Sequence, residues 1–166
     1  MKNLTEHLSQ YALYHRDERN ILTHYAGIPL IVVAVFALLY WPLFTLAGMV
    51  ITPALLLFIG SMAFYLRLDL RFGLVMFVFS GLSLLLAAKL AALPFGLWLG
   101  SAIALFVVGW VLQFIGHYYE GKKPAFVDDL TGLLIGPLFI MAELGFKLGL
   151  RKPLQHRIEQ IAGKTH

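Results

Sequence analysis

The chain has 166 residues, enough for one domain, and no cysteine, which excludes a disulfide framework and thiol chemistry. It is 60% hydrophobic and only 13% charged, against about 25% charged for an ordinary soluble domain; so apolar a chain would leave large exposed patches in water, and a lipid bilayer is its natural solvent. The net charge of +4 lies in short segments between apolar runs, as membrane proteins distribute it, and makes no case for nucleic acid as a partner.

Residues 1–26 read as a polar N-terminal segment with no signal-peptide-like apolar region near the start. His15 sits there in Tyr14-His15-Arg16-Asp17-Glu18-Arg19-Asn20, and His24 in His24-Tyr25-Ala26-Gly27-Ile28-Pro29. A spanning helix needs roughly 20 apolar residues, with about 17 as a lower limit. Residues 27–115 offer four candidates: Ile28–Ala47, kinked or ended by Pro42, Val50–Leu66, Phe72–Ala88 and Leu97–Ile115. The first two are so close that they are expected to form a helical hairpin.

Residues 116–166 open on Gly116-His117-Tyr118-Tyr119-Glu120. Asp128 and Asp129 are suited to cap the next helix, where negative charge meets the helix dipole. A fifth apolar stretch, Leu130–Leu150, is broken by four glycines, Pro137, Glu143 and Lys147. It reads as a re-entrant or interfacial helix packed on the bundle. The tail beyond Arg151 sets Leu154, Ile158 and Ile161 among basic residues, which suits a membrane-surface helix. The fold expected is therefore all-α: one integral membrane domain, 1–166, of about four transmembrane helices plus a re-entrant or interfacial C-terminal segment. With four crossings, every Lys and Arg except Lys89 falls on the side of the two termini, so both termini are expected to be cytoplasmic, in a bacterial inner membrane.

That topology gathers His15, His24 and His117 at one membrane face. Asn20 and His24 are i, i+4; His117 and Glu120 are i, i+3; each pair shares a helix face. His15 and His24 are nine apart, about half a turn out of phase on a straight helix, and converge only if the chain bends between them. Imidazoles with a carboxylate and open positions are what non-haem Fe(II) oxygenases use. Against this stand plainer roles: interfacial histidines as caps or headgroup contacts, Glu120 paired with Lys122 or Lys123, Glu143 either supporting a site or paired with Lys147.

These motifs also carry a resemblance. Tyr14-His15 with Asn20, His24-x-x-Gly27-x-Pro29, Gln113-x-x-Gly116-His117, Glu120-Gly121-x-x-Pro124-Ala125, and Gly136-Pro137 with Glu143 together resemble a family of membrane 2-hydroxy fatty acid dioxygenases, with a yeast member acting on phytosphingosine-derived acids and bacterial relatives. The likeness runs from about residue 4 to 150. It implies a dioxygenase that uses Fe(2+) and O2 to shorten a 2-hydroxy fatty acid by one carbon, with His15, His24 and His117 as metal ligands and catalytic residues. The yeast pattern has one more residue between histidine and glutamate in the third motif, so Glu120 as a further ligand rests on its own spacing. Asn20, Arg16, Arg19 and Glu143 are candidates to support the ligands or bind substrate; Arg16, Arg19 or Lys122 could hold its carboxylate. Two other classes fit the same text: a structural or assembly protein without chemistry, and a haem-binding membrane protein. Oligomeric state is not encoded in any motif.

Overall fold

The computed structural model describes residues 2–166. They form seven α-helices, one short hairpin and a single 3-10 turn: α1 (Leu4–Ala12), α2 (Glu18–Leu38), β1 (Phe44–Leu46), β2 (Met49–Ile51), α3 (Pro53–Leu68), α4 (Leu70–Ala91), α5 (Phe95–Glu120), the turn Ala125–Val127, α6 (Gly132–Lys147) and α7 (Lys152–Ala162). The protein is an all-α membrane chain. Among the described residues α2, α4 and α5 are long and apolar enough to cross a bilayer. The chain divides into two compact units, one of residues 29–110 and one of residues 1–28 with 111–166.

The unit of residues 29–110 is built on small side chains. Ala37, Ala54, Ala87 and Ala102 are fully buried beside Phe36, and small residues let helix backbones approach where lipid gives no hydrophobic drive. Trp98 Nε1 donates to the Ala37 carbonyl at 2.9 Å. Two boundaries differ from the sequence reading. The apolar run expected to be helical to Ala47 stops at Leu38, and β1 pairs antiparallel with β2, Phe44 opposite Ile51. Pro42 cannot supply the N–H a continued helix needs, and Ala47 and Gly48 both take positive φ to close the turn. The second expected span is α3, sixteen residues, and it ends where Asp69 adopts an extended conformation and turns its carboxylate to the Phe72 N–H at 3.0 Å, capping α4.

The other unit begins with α1, which the sequence reading did not anticipate. Asn3 and Glu6 form a reciprocal capping box at its start. Its apolar face, Leu4, Leu8, Tyr11 and Ala12, is buried, and it packs against α6 and α7. Leu8, Ile135, Leu138, Phe139, Ile140 and Ile158 are almost wholly inaccessible. Gly136 lets the Tyr11 hydroxyl pass: a Cβ there would stand 2.9 Å from it. The fifth apolar stretch becomes α6, followed after a 116° bend by α7, a geometry of a re-entrant or broken segment. Asp129 receives the Thr131 N–H and hydroxyl at 2.9 and 2.7 Å, just ahead of α6. Asp128 instead takes the Lys123 ammonium and the Tyr14 hydroxyl, each at 2.6 Å.

Candidate metal centre

His15 lies in the bend between α1 and α2, His24 on the second turn of α2, and His117 on the last turn of α5. The bend at residues 13–17 is what overcomes the nine-residue phase difference. The three imidazoles are buried, at 0%, 1% and 6% exposure, and one ring nitrogen from each falls within 4.8 Å of the others. Their ring centroids are 4.6, 4.8 and 5.1 Å apart with the planes nearly perpendicular.

Two of the rings are fixed in tautomer as well as place. His15 Nδ1 is 2.8 Å from the Tyr11 carbonyl and His24 Nδ1 is 2.8 Å from the Asn20 carbonyl. A carbonyl only accepts, so each Nδ1 carries the proton and each Nε2 keeps its lone pair. Those two Nε2 atoms face each other at 3.1 Å. Two bare nitrogen lone pairs repel at that distance, and a shared cation removes the repulsion. The separation is that of adjacent nitrogens about one ion at bond lengths of roughly 2.1 Å. Burial first, then the neighbouring His24, hold His15 well below the usual imidazole range, so it stays neutral and able to ligate. The ring is stacked on Tyr11 at 4.1 Å, with Phe139 at 5.6 Å.

Glu120 stands apart from this group. Its carboxylate faces the 16–20 turn: Arg16 N–H donates to both oxygens at 2.9 Å, Asp17 N–H to Oε2 at 2.8 Å, and Asn20 Nδ2 to Oε2 at 3.0 Å. The group with metal-binding geometry among the described residues is the three histidines alone, so Glu120, considered as a ligand from its spacing, is a clamp on the turn that carries His15. Asn20 is fully buried and joins the parts: Nδ2 also reaches the Tyr14 carbonyl at 3.2 Å, and its own carbonyl orients His24. A Cβ on Gly116 would collide with Thr23 Oγ1 and Asn20 Oδ1, which explains a glycine beside His117.

The cations are engaged with the protein. Arg16 is buried; its guanidinium donates to the His15 carbonyl (2.8 Å), the Gly163 carbonyl (3.0 Å) and Glu143 Oε1 (3.2 Å). Glu143 therefore pairs with Arg16, while Lys147 pairs with Glu18 at 3.6 Å. Arg19 holds Asp17 at 2.7 Å and lies over the Tyr119 ring. Lys122 Nζ donates to the Leu13 carbonyl at 2.7 Å.

A family model described as 2-hydroxy-palmitic acid dioxygenase Mpo1-like matches residues 1–148. The chain belongs to the Mpo1-like family. A curated relative, the 2-hydroxy-palmitic acid dioxygenase MPO1 of Saccharomyces cerevisiae, is 33% identical over 163 residues, covering 95% of this chain and 90% of the relative. No solved structure matches. The Mpo1-like match takes in the three histidines, Glu120 and Glu143 and ends before α7. One neighbour of the histidines was not singled out from the sequence: Tyr11, which stacks on His15 from one helical turn earlier; Gln113, quoted in the third motif without a role, lies one turn before His117. Gln113 is 5% exposed and its Nε2 has no hydrogen-bond partner. The i, i+4 spacing to a histidine was the available signal in both cases.

Proposed function

We propose that this protein is an Fe(II)-dependent dioxygenase that shortens a 2-hydroxy fatty acid by one carbon. The observation that carries the reading is the pair of neutral, carbonyl-fixed imidazoles whose Nε2 atoms face each other at 3.1 Å, with His117 beside them. The substrate class follows the printed activity of the yeast relative.

His15, His24 and His117 would hold the metal. Bound iron supplies a redox-active centre for O2 chemistry, which zinc does not. In the proposed reaction the C1–C2 bond breaks and O2 takes up four electrons: R–CH(OH)–COOH + O2 gives R–COOH + CO2 + H2O. The protein's part is arrangement. The Tyr11 and Asn20 carbonyls keep the Nδ1 protons of His15 and His24 and aim their Nε2 lone pairs inward. Glu120 ties the His15 turn to the end of α5. Burial of all three rings keeps bulk water from the reacting atoms. Arg16 and Glu143 neutralise each other behind His15, so neither leaves a net charge in the site.

A 2-hydroxy acid suits a site at a membrane face, its head polar and its chain at home in lipid. The chain leaves the histidines along α2 and returns to them along α5, so the crossings between are even in number. With α2, α4 and α5 long enough to span, α3 completes the set as a short fourth span of about 24 Å. The Lys and Arg distribution then supports cytoplasmic termini and a cytoplasmic site. The haem alternative finds no support in this geometry: three imidazoles with centroids 4.6–5.1 Å apart leave no slot for a porphyrin between any two.

The test is metal analysis of detergent-purified protein by mass spectrometry, beside the triple variant His15→Ala, His24→Ala, His117→Ala. About one iron per wild-type chain and almost none in the variant is expected, with O2 uptake on 2-hydroxypalmitic acid by the iron form only. No metal after anaerobic Fe(II) loading, or equal O2 uptake by a zinc form, sinks the reading.

A further inference from the structure

The proposed substrate brings a carboxylate into a buried site, and the cations suited to receive it are used elsewhere. Arg16 is spent on two carbonyls and Glu143, Arg19 on Asp17, and Lys122 on the Leu13 carbonyl. A neutral donor is left over. Gln113 is one helical turn from His117 on the same face of α5, is 5% exposed, and its Nε2 donates to nothing. Buried amides are normally hydrogen-bonded, so an idle one at a functional site calls for a partner. Gly116, between Gln113 and His117 on α5, packs so close to Asn20 and Thr23 of α2 that a Cβ would collide with both; α5 thus lies directly against the α2 turns that carry His24. Gln113 precedes His117 within the apolar run of α5, so in the topology proposed above it lies on the lipid side of His117, from which a lipid-borne acid would arrive.

Resting on the function proposed above, we infer that the Gln113 amide is the substrate-binding donor for the carboxylate of the 2-hydroxy acid. Among the protein's own groups the Nε2 donor finds no acceptor; in the complex it would donate to a charged acceptor, a bond stronger than one between neutral partners. Use of a neutral donor adds no unpaired positive charge beside the three histidines, where a further cation would oppose metal binding.

The experiment compares wild type with Gln113→Met, close in shape but without a donor, and Gln113→Glu, close in shape with a like charge. Three quantities are read: iron content, melting temperature without substrate, and the anaerobic Kd for radiolabelled 2-hydroxypalmitic acid. Iron content is expected to stay at the wild-type level. The melting temperature of Gln113→Met should hold or rise, because an unpaired buried donor has been removed; a merely structural glutamine would lower it. The Kd should rise about tenfold or more in Gln113→Met, and further in Gln113→Glu. Wild-type binding with an unchanged Kd in both variants overturns this assignment alone. A wild-type protein that neither binds nor oxidises the acid overturns the proposed function and the assignment with it.

Discussion

The two units of this chain are held by different physics. In residues 29–110 the charged side chains are Arg67, Asp69, Arg71 and Lys89, helices meet on buried alanines, and Leu74, Phe77, Leu82 and Leu85 are more than half exposed, as lipid-facing residues are. In residues 1–28 and 111–166 all six histidines and most of the charge are found, and the side chains form a connected set of hydrogen bonds: Glu120 to the 16–20 turn, Asn20 to Glu120 and His24, Arg16 to Glu143. An apolar lipid-facing surface tolerates any residue of the right polarity. A buried polar network does not, because each lost partner leaves another group unsatisfied. The contrast teaches that the membrane unit is specified by composition and the site unit by individual residues.

The largest effect expected is at the buried pair. Glu143→Leu strands the Arg16 guanidinium at 6% side-chain exposure, and breaking such a pair costs about 3–5 kcal/mol. Chemical unfolding in detergent should show that loss, while Leu85→Val, at a site 63% exposed, should leave stability and activity close to wild type. If the two substitutions cost the same, the comparison fails.

Glu120→Gln sharpens it. Every partner of Glu120 is a donor, so an amide must turn an N–H toward another N–H. Iron affinity should fall about 10–100-fold, the usual consequence of disturbing groups that position ligands, yet stoichiometric iron should return at saturating Fe(II). Iron that never reaches one per chain at saturation makes Glu120 a direct ligand instead of a clamp.

The smallest effect is expected at the solvated edge of the site unit. Lys123 and then the Tyr14 hydroxyl hold Asp128 below the ordinary carboxylate range. A carboxylate with a depressed folded pKa adds stability that is fully present above its unfolded value, about 4, and is lost as the pH falls through the folded one. Stability measured against pH should therefore drop slightly more steeply below about pH 4 in wild type than in Asp128→Asn. Identical acid limbs would show that these contacts contribute nothing.

Much of this was legible in the sequence, and the reasons are as uneven as the two units. The runs 72–88 and 97–115 read directly as spans because hydropathy decides them, and they lie within α4 and α5. Hydropathy could not separate helix from strand over Phe44–Ile51, where an apolar run suits either. It also hid the start of α2: Glu18–Tyr25 is too polar for a span and is helical because its polar groups are met by Glu120 and by one another. The histidines were conspicuous as residue types at span mouths. Their convergence depends on the bend at residues 13–17, which is held by Glu120, a hundred residues away in sequence, and no local pattern announces such a contact. Arg16 with Glu143, and Gln113 without a partner, are likewise facts of three dimensions.

The end of α7 has a practical consequence. His166 N–H donates to the Arg16 carbonyl at 3.0 Å, the Glu18 N–H donates to the His166 carbonyl at 2.9 Å, and Arg16 Nη1 reaches the Gly163 carbonyl. Residues 163–166 are thus stitched to the segment that carries His15. A polyhistidine purification tag fused after His166 would be delivered close to the segment that carries His15, with extra imidazoles able to take up the metal that the proposed test counts. A tag without metal-binding side chains, removed by a protease before metal analysis, keeps the count of iron a property of the protein itself.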